Sequence, residues 1–347
     1  MKPGGRTALV LLNLGGPDGL AAVEPFLRNL FSDPAILRVP GLLRPWLARL
    51  IARRRAPVAA RAYARLGGGS PLLANTEAQA RALEAALADL GECRCFIAMR
   101  YWHPFAAETA AAVKAWGPDR ILLLPLYPQY STTTTASSLA DWRRAAAAAG
   151  LALPTRTICC YPTEPGFVAA IARLATAATA AARKAGDPIV LFSAHGLPKK
   201  IVDGGDPYAE QVGETVHAVA ARMGLAPAGY EICFQSRVGP LEWIGPYTED
   251  AIRRAGAAGR PIVVVPVAFV SEHSETLVEL DIDYRELAAA VGAPAYHRAP
   301  TVSTTPEFIA GLAALVRAAL AGTRDTVSDR GERRCAAGRH CCQEEAA

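Results

Sequence analysis

Ile189-Val-Leu-Phe-Ser-Ala-His195-Gly-Leu-Pro198 is an unbroken apolar run that stops on a histidine and a Gly-Leu-Pro turn. A strand that is apolar on both faces belongs in a parallel sheet covered by helices on each side. The opening of the chain has the same form, Leu9-Val-Leu-Leu-Asn-Leu-Gly-Gly-Pro17. A second pair repeats farther on, where Ile121-Leu-Leu-Leu-Pro-Leu-Tyr-Pro-Gln-Tyr130 is echoed by Ile262-Val-Val-Val-Pro-Val-Ala-Phe-Val-Ser271. The echo predicts an α/β protein made of two Rossmann-like halves, with a ligand cleft between them at the carboxyl ends of the strands.

Working outward, strands are expected at 8–12, 95–99, 120–126, 155–159, 189–193, 230–234 and 262–269. Helical segments fall between them, and such alternation implies crossover connections and parallel sheets flanked by helices. We divide the chain into an N-terminal half (1–165), a C-terminal half (166–324) and a cysteine-bearing tail (325–347). Half of the 347 residues are hydrophobic and a fifth are charged, which is a globular composition. A net charge of +5 is too small to imply nucleic-acid binding. No uninterrupted apolar run reaches the ~18 residues of a membrane span, and no small-residue cleavage site follows the first strand. A cytoplasmic location with reduced cysteines is therefore expected. Gly15-Gly16-Pro17 lacks nucleotide-fingerprint spacing, and no P-loop pattern occurs.

Two histidines follow strands where the crevice is expected. His195 ends the first quoted run, and Gly196 and Pro198 allow a sharp turn that presents its ring. His273 lies in Val270-Ser-Glu-His-Ser-Glu-Thr-Leu-Val-Glu-Leu-Asp-Ile-Asp283. There Glu272, Glu275 and Glu279 recur at three and four residues and stack on one face of a helix, with Asp283 a turn beyond. Like charges in a row repel, so a wet acidic face is the plain alternative. Placement at the end of a core strand favours a path for a divalent cation. Carboxylates and imidazole hold a divalent cation such as Fe(II) loosely enough to release it, and a histidine paired with a carboxylate can accept protons. His195 and Glu275 are the natural pair.

At these residues the chain resembles the ferrochelatase family, from about Leu9 to Leu320. The matching motifs are Leu12-Asn-Leu-Gly-Gly-Pro17, Leu66-Gly-Gly-Gly-Ser-Pro71, Arg100-Tyr-Trp-His-Pro104, Leu126-Tyr-Pro-Gln-Tyr-Ser131, Ser193-Ala-His-Gly-Leu-Pro198, Gly205-Asp-Pro-Tyr208, Gln235-Ser-Arg-Val-Gly-Pro240, Glu242-Trp-Ile-Gly-Pro246 and the Glu272–Asp283 row. The resemblance implies a lyase that inserts Fe(II) into protoporphyrin IX, the last step of haem biosynthesis. His195 and Glu275 would flank the porphyrin centre, binding Fe(II) and removing protons. Glu272, His273, Glu279 and Asp283 would form an iron and proton path. Ser70, Arg100, Tyr101 and Tyr127 would seat the macrocycle and its propionates, with Leu14, Trp243 and Phe269 as apolar walls. Coproporphyrin III as substrate, or a non-catalytic haem or iron carrier, are the alternatives. A monomer and a homodimer both remain open.

Two segments stand apart. Residues 34–76 hold eight arginines and no acid. From Leu42 the residues Leu42, Leu43, Trp46, Leu47, Leu50 and Ile51 recur at helical spacing, with Arg49, Arg53, Arg54 and Arg55 largely outside that stripe. Such a helix suits an anionic membrane surface, or else packs on the body with a solvated basic face. In the family this region is a lip over the porphyrin pocket, which implies peripheral attachment to the inner membrane. The tail carries Cys335, Cys341 and Cys342. Crowded thiols in a polar segment suggest metal ligation, either zinc completed by His340 or a [2Fe–2S] cluster. Some family members hold such a cluster with C-terminal cysteines. The further ligand of animal members corresponds to Thr132 here, so Cys159 or Cys160 would have to substitute, with Cys160 preferred; one of the two and not both is expected, because neighbours on a strand point to opposite faces.

Overall fold

The computed structural model describes residues 5–332 and 334. Among them are nine strands: β1 (Thr7–Asn13), β2 (Cys93–Met99), β3 (Arg120–Pro125), β4 (Thr155–Cys160), β5 (Ile189–His195), β6 (Tyr230–Gln235), β7 (Ile262–Pro266), β8 (Tyr296–Arg298) and β9 (Thr326–Ser328). They form two sheets, in the orders β2-β1-β3-β4-β9 and β6-β5-β7-β8, with every pair parallel. The first four strands of each half thus share one order, second-first-third-fourth. The two quoted echoes fall on the first and third strands of each half, so the sequence repeat has a topological counterpart.

Each sheet belongs to its own compact unit. One holds the chain up to Cys160 and the described residues from Leu312 onward; the other runs Tyr161–Gly311. In the first unit β1 is buried along its whole length. One face of its sheet packs Val10, Phe96 and Leu123 against Ala110 and Val113 of helix Ala106–Trp116 and Trp142 of helix Thr135–Ala148. In the second unit Leu191, Ile262 and Val264 pack against Ile252, Leu280 and Tyr284. At 20–33 cal/mol per Å2 of buried apolar surface, each fully buried aliphatic side chain contributes roughly 1.5–3 kcal/mol. Helix Pro165–Ala182 is long and apolar enough to cross a bilayer, yet it buries Phe167, Ile171 and Ala175 inside the second unit.

Three elements differ from the sequence-based expectation. β7 stops at Pro266, not at 269; Val267 makes one more bond, its N–H to Ser193 O at 3.1 Å, and the chain then bends away. β8 and β9 are only three residues long, too short to leave a periodicity. β9 moves the domain boundary: the chain from Leu312 onward joins the first unit instead of ending the second half at 324. The free edge of β4 receives it, through Thr157 N–H to Asp325 O at 2.7 Å and Asp329 N–H to Cys160 O at 3.1 Å.

The Arg-rich stretch forms helix Arg44–Ala64, with Pro45 in its first turn as expected. Its expected stripe is divided. Alanines 48 and 52 and Tyr63 are the residues buried against the body, while Leu47, Leu50 and Ile51 are half-buried. Leu42, Leu43 and Trp46 are 97%, 58% and 68% exposed. Small alanines allow close approach to helix Val23–Ser32, and the larger side chains are left outside.

Candidate active site

In both units the strands end together. Register pairs Asn13 with Met99 and Leu12 with Pro125 in the first, and His195 with Gln235 and Ser193 with Pro266 in the second. The residues just beyond form a crest on each sheet, where open α/β sheets bind ligands.

On the second crest His195 is the last residue of β5. Its Nδ1 lies 2.6 Å from the Gly196 carbonyl oxygen, which can only accept, so the proton sits on Nδ1. The other ring nitrogen, Nε2, lies 3.6 Å from Glu275 Oε1. Gly196 is tightly enclosed: a Cβ would stand 3.1 Å from both the Trp243 ring and the Gln235 carbonyl, which would have to give by a few tenths of an ångström. Trp243 is held by its indole N–H to Val238 O at 2.9 Å and lies 6.1 Å from the His195 ring centre.

Glu275 opens a helix that ends at Asp283, and this helix is of the π type, not α. The Tyr284 N–H reaches back five residues to the Glu279 carbonyl. Single wide turns of this kind recur at functional sites. The Oε2 of Glu275 lies 3.5 Å from Nε2 of His273, whose Nδ1 bonds the Ser271 carbonyl at 3.0 Å. One carboxylate therefore joins two imidazoles. Burial alone would lower the basicity of His273, but the facing Glu275 outweighs it and raises the ring above its ordinary value. Phe269 packs on His273 at 4.7 Å between ring centres.

The other acids of the row have partners of their own. Glu272 is turned to Arg298, at 2.7 Å, and also accepts the Thr301 N–H. Burial works against its charge, yet Arg298 holds it below the usual carboxylate range. Asp281 binds the same guanidinium at 2.6 Å. Glu279 is buried among hydroxyl and amide donors, and burial together with Glu275 pushes its carboxyl up. Asp283 is exposed. Among the described residues no group of three or more His, Cys, Asp or Glu side chains is arranged to hold a metal ion.

On the first crest Leu14, Arg100 and Tyr127 lie just past β1, β2 and β3. Arg100 Nη2 is 2.8 Å from buried Asp33, and its Nε donates to Ser137 at 2.7 Å. Tyr101 is fully buried, and its hydroxyl donates to the same Asp33 oxygen at 2.8 Å. Tyr127 sits near Ser138 at 3.4 Å, and burial pushes its hydroxyl up. Ser70 lies so close to Gly16 that a Cβ there would overlap its hydroxyl. Asp33, Ser137, Ser236, Tyr284 and Arg298 were not singled out from sequence. Ser236 lay inside a quoted motif without a role, and Asp33 adjoins the basic stretch as its nearest acid.

The ferrochelatase family profile matches residues 6–320. The chain belongs to the ferrochelatase family. It is 53% identical over 338 residues to a protein of Caulobacter vibrioides named ferrochelatase, covering 96% of this chain and 95% of that one. A ferrochelatase of Phenylobacterium zucineum is 55% identical over 320 residues, covering 91% and 92%. Among solved structures, SirB from Bacillus subtilis with Fe3+ aligns at a TM-score of 0.50 and 13% identity over 90% of this chain and 94% of that one. That likeness concerns the fold.

Proposed function

We propose that this protein is a ferrochelatase that inserts Fe(II) into a porphyrin to form haem, with release of two protons. The observation that carries the reading is the His195–Glu275–His273 chain on one crest, with separations of 3.6 and 3.5 Å. Insertion replaces two pyrrole N–H bonds by bonds to iron, so the enzyme must take two protons per turnover. His195 Nε2, on a half-exposed ring, is the nitrogen we assign to accept a pyrrole proton. The imidazolium so formed is stabilised by Glu275, and His273 behind it relays or holds the charge. Trp243 and Phe269 give the apolar surfaces that a macrocycle needs. We assign Arg100 to a propionate, with Asp33 fixing its fork in advance. Protoporphyrin IX is the proposed macrocycle. Purified protein with Fe(II) and protoporphyrin IX under anaerobic conditions should quench porphyrin fluorescence over many equivalents. Quenching that stops at one equivalent sinks catalysis in favour of a carrier, and a larger kcat/KM on coproporphyrin III reassigns the substrate.

Residues 42–58 support attachment to the surface of the inner membrane. Leu42, Leu43, Trp46 and Val58 are four of six strongly exposed large apolar side chains among the described residues, and Arg49, Arg53 and Arg54 are exposed beside them. Apolar insertion with cationic flanks suits anionic lipid.

A [2Fe–2S] cluster is the proposed resident group. Cys335, Cys341 and Cys342 lie outside the described residues, and the fit rests on β4. The sulfurs of Cys159 and Cys160 are 3.4 Å apart, and both residues are buried. A register shift between Ile158 and Cys160 brings together two side chains that a regular strand would send to opposite faces, so the strand no longer separates one cysteine from the other as the fourth ligand. The backbone leaving β9 bonds Cys160 through Asp329, and Arg334, next to Cys335, pairs with Asp329 at 2.5 Å. When bound, the cluster supplies a cross-link and a one-electron centre; the thiolates of this chain hold it. Visible absorption that bleaches on reduction, and a lower Tm in Cys335→Ser, test the assignment. One zinc and no colour would replace it by a zinc site.

A further inference from the structure

Glu279 accepts four hydrogen bonds. Its Oε1 accepts the Ser236 backbone N–H at 2.8 Å and the Tyr284 hydroxyl at 3.0 Å. Its Oε2 accepts the Ser236 hydroxyl at 2.5 Å and the Gln235 amide at 3.2 Å. Two of these four bonds come from one residue. Ser236 lies at φ +64, in the left-handed region that residues with a Cβ rarely adopt. The rare conformation directs backbone N–H and side-chain hydroxyl to the same carboxylate. Such outliers persist where the surroundings over-determine them, and they gather at active sites.

The position is also telling. Gln235 ends β6 directly beside His195 on β5, so Ser236 is the first residue past the strand on the crest that carries the imidazole. Glu275 and Glu279 lie one turn apart on the wide helix, and two carboxylates so placed repel. Left untied, Glu279 would swing away or compete with Glu275 for the imidazoles of His195 and His273. We propose that Ser236 is a positioning residue for the metal-insertion reaction, acting through Glu279 to hold the two carboxylates in separate places so that Glu275 alone bridges the histidines. The proposal rests on the ferrochelatase reading above.

A double-mutant cycle tests it, using Ser236→Ala, Glu279→Ala and their combination, with thermal unfolding measured on the same four proteins. Ser236→Ala should lower kcat about tenfold, the loss expected for one charge-assisted hydrogen bond, with KM for porphyrin within about twofold. In the Glu279→Ala background the same change should alter kcat by less than about twofold. Ser236→Asn, which tolerates the left-handed backbone and carries a donor, should recover most of the activity. Equal losses in both backgrounds, or no loss in the parent, overturn the proposal while leaving the ferrochelatase reading intact. Absence of turnover in the parent defeats that reading instead. The cycle in Tm then still decides the contact, since additive shifts would show that Ser236 does not act on Glu279.

Discussion

Beyond β1, β2 and β3 the first unit places Leu14, Arg100 and Tyr127; beyond β5, β6 and β7 the second places Gly196, Ser236 and the run to His273. The strand order is the same, and the electrostatics are opposite in kind. On the first crest a buried carboxylate meets a guanidinium, and the charges cancel locally. On the second, Glu275 and Glu279 face imidazoles and hydroxyls, while the neighbouring Arg298 is taken by Glu272 and Asp281. One scaffold thus carries two electrostatic settings by the choice of partner for each acid, and on the reading proposed above the first would seat a propionate and the second would move protons.

The largest expected effect lies on the second crest. His195→Ala should reduce kcat by at least about a hundredfold, the usual worth of a proton acceptor, while porphyrin affinity measured by fluorescence stays near the parent's. Parallel loss of affinity and rate would erase the distinction between crests. On the first crest Asp33→Asn should cost about 3 kcal/mol of unfolding free energy, because Arg100 loses its buried partner. Burial raises Asp33, but Ser137, the Ala35 N–H, Arg100 and Tyr101 together hold it below its ordinary value. A depressed carboxyl contributes stability that is present above its unfolded pKa and lost as pH falls through its folded one. Denaturant melts of the parent should therefore weaken below about pH 4 more steeply than those of Asp33→Asn.

A finer division lies within the acidic row. Glu275→Gln should lower kcat on the order of tenfold with little change in Tm, whereas Glu272→Gln should lower Tm and spare kcat, since it breaks the tie to Arg298. If both variants act on rate alone, the row is a single path after all. Smallest is the effect of the lip: replacing Arg49, Arg53 and Arg54 by Gln should weaken binding to anionic vesicles a few-fold, more at low salt than at high. Salt-independent sedimentation of parent and variant alike would leave only the apolar side chains as the attachment.

How far the sequence carries can be judged residue by residue. His195 was legible because a strand run ending in His-Gly-Leu-Pro has one place to go, the crest of a parallel sheet. Glu275 was legible as an acid after another strand, though its special place in the row was implied by family resemblance. Tyr101 was expected at the macrocycle and is instead buried beneath, with its hydroxyl on Asp33. Nothing in its motif distinguishes a ring facing a ligand from one supporting the arginine beside it.

The sequence by itself determined the α/β class, the order of the longer strands, the repeated half and the strand-end position of His195. These depend on apolar runs and turn residues, whose signals lie within a few positions of one another. Only the tertiary structure decided the partners: Glu272 with Arg298 across 26 residues, Arg100 with Asp33 across 67, and Glu279 with Ser236 across 43. It also decided that Glu275–Asp283 winds as a π-helix with Glu272 outside it, turned to Arg298, and that an irregular β4 sets Cys159 beside Cys160. Local spacing specifies which face a residue takes only when the backbone is regular, and a charge chooses its partner by distance and burial after the chain has closed on itself.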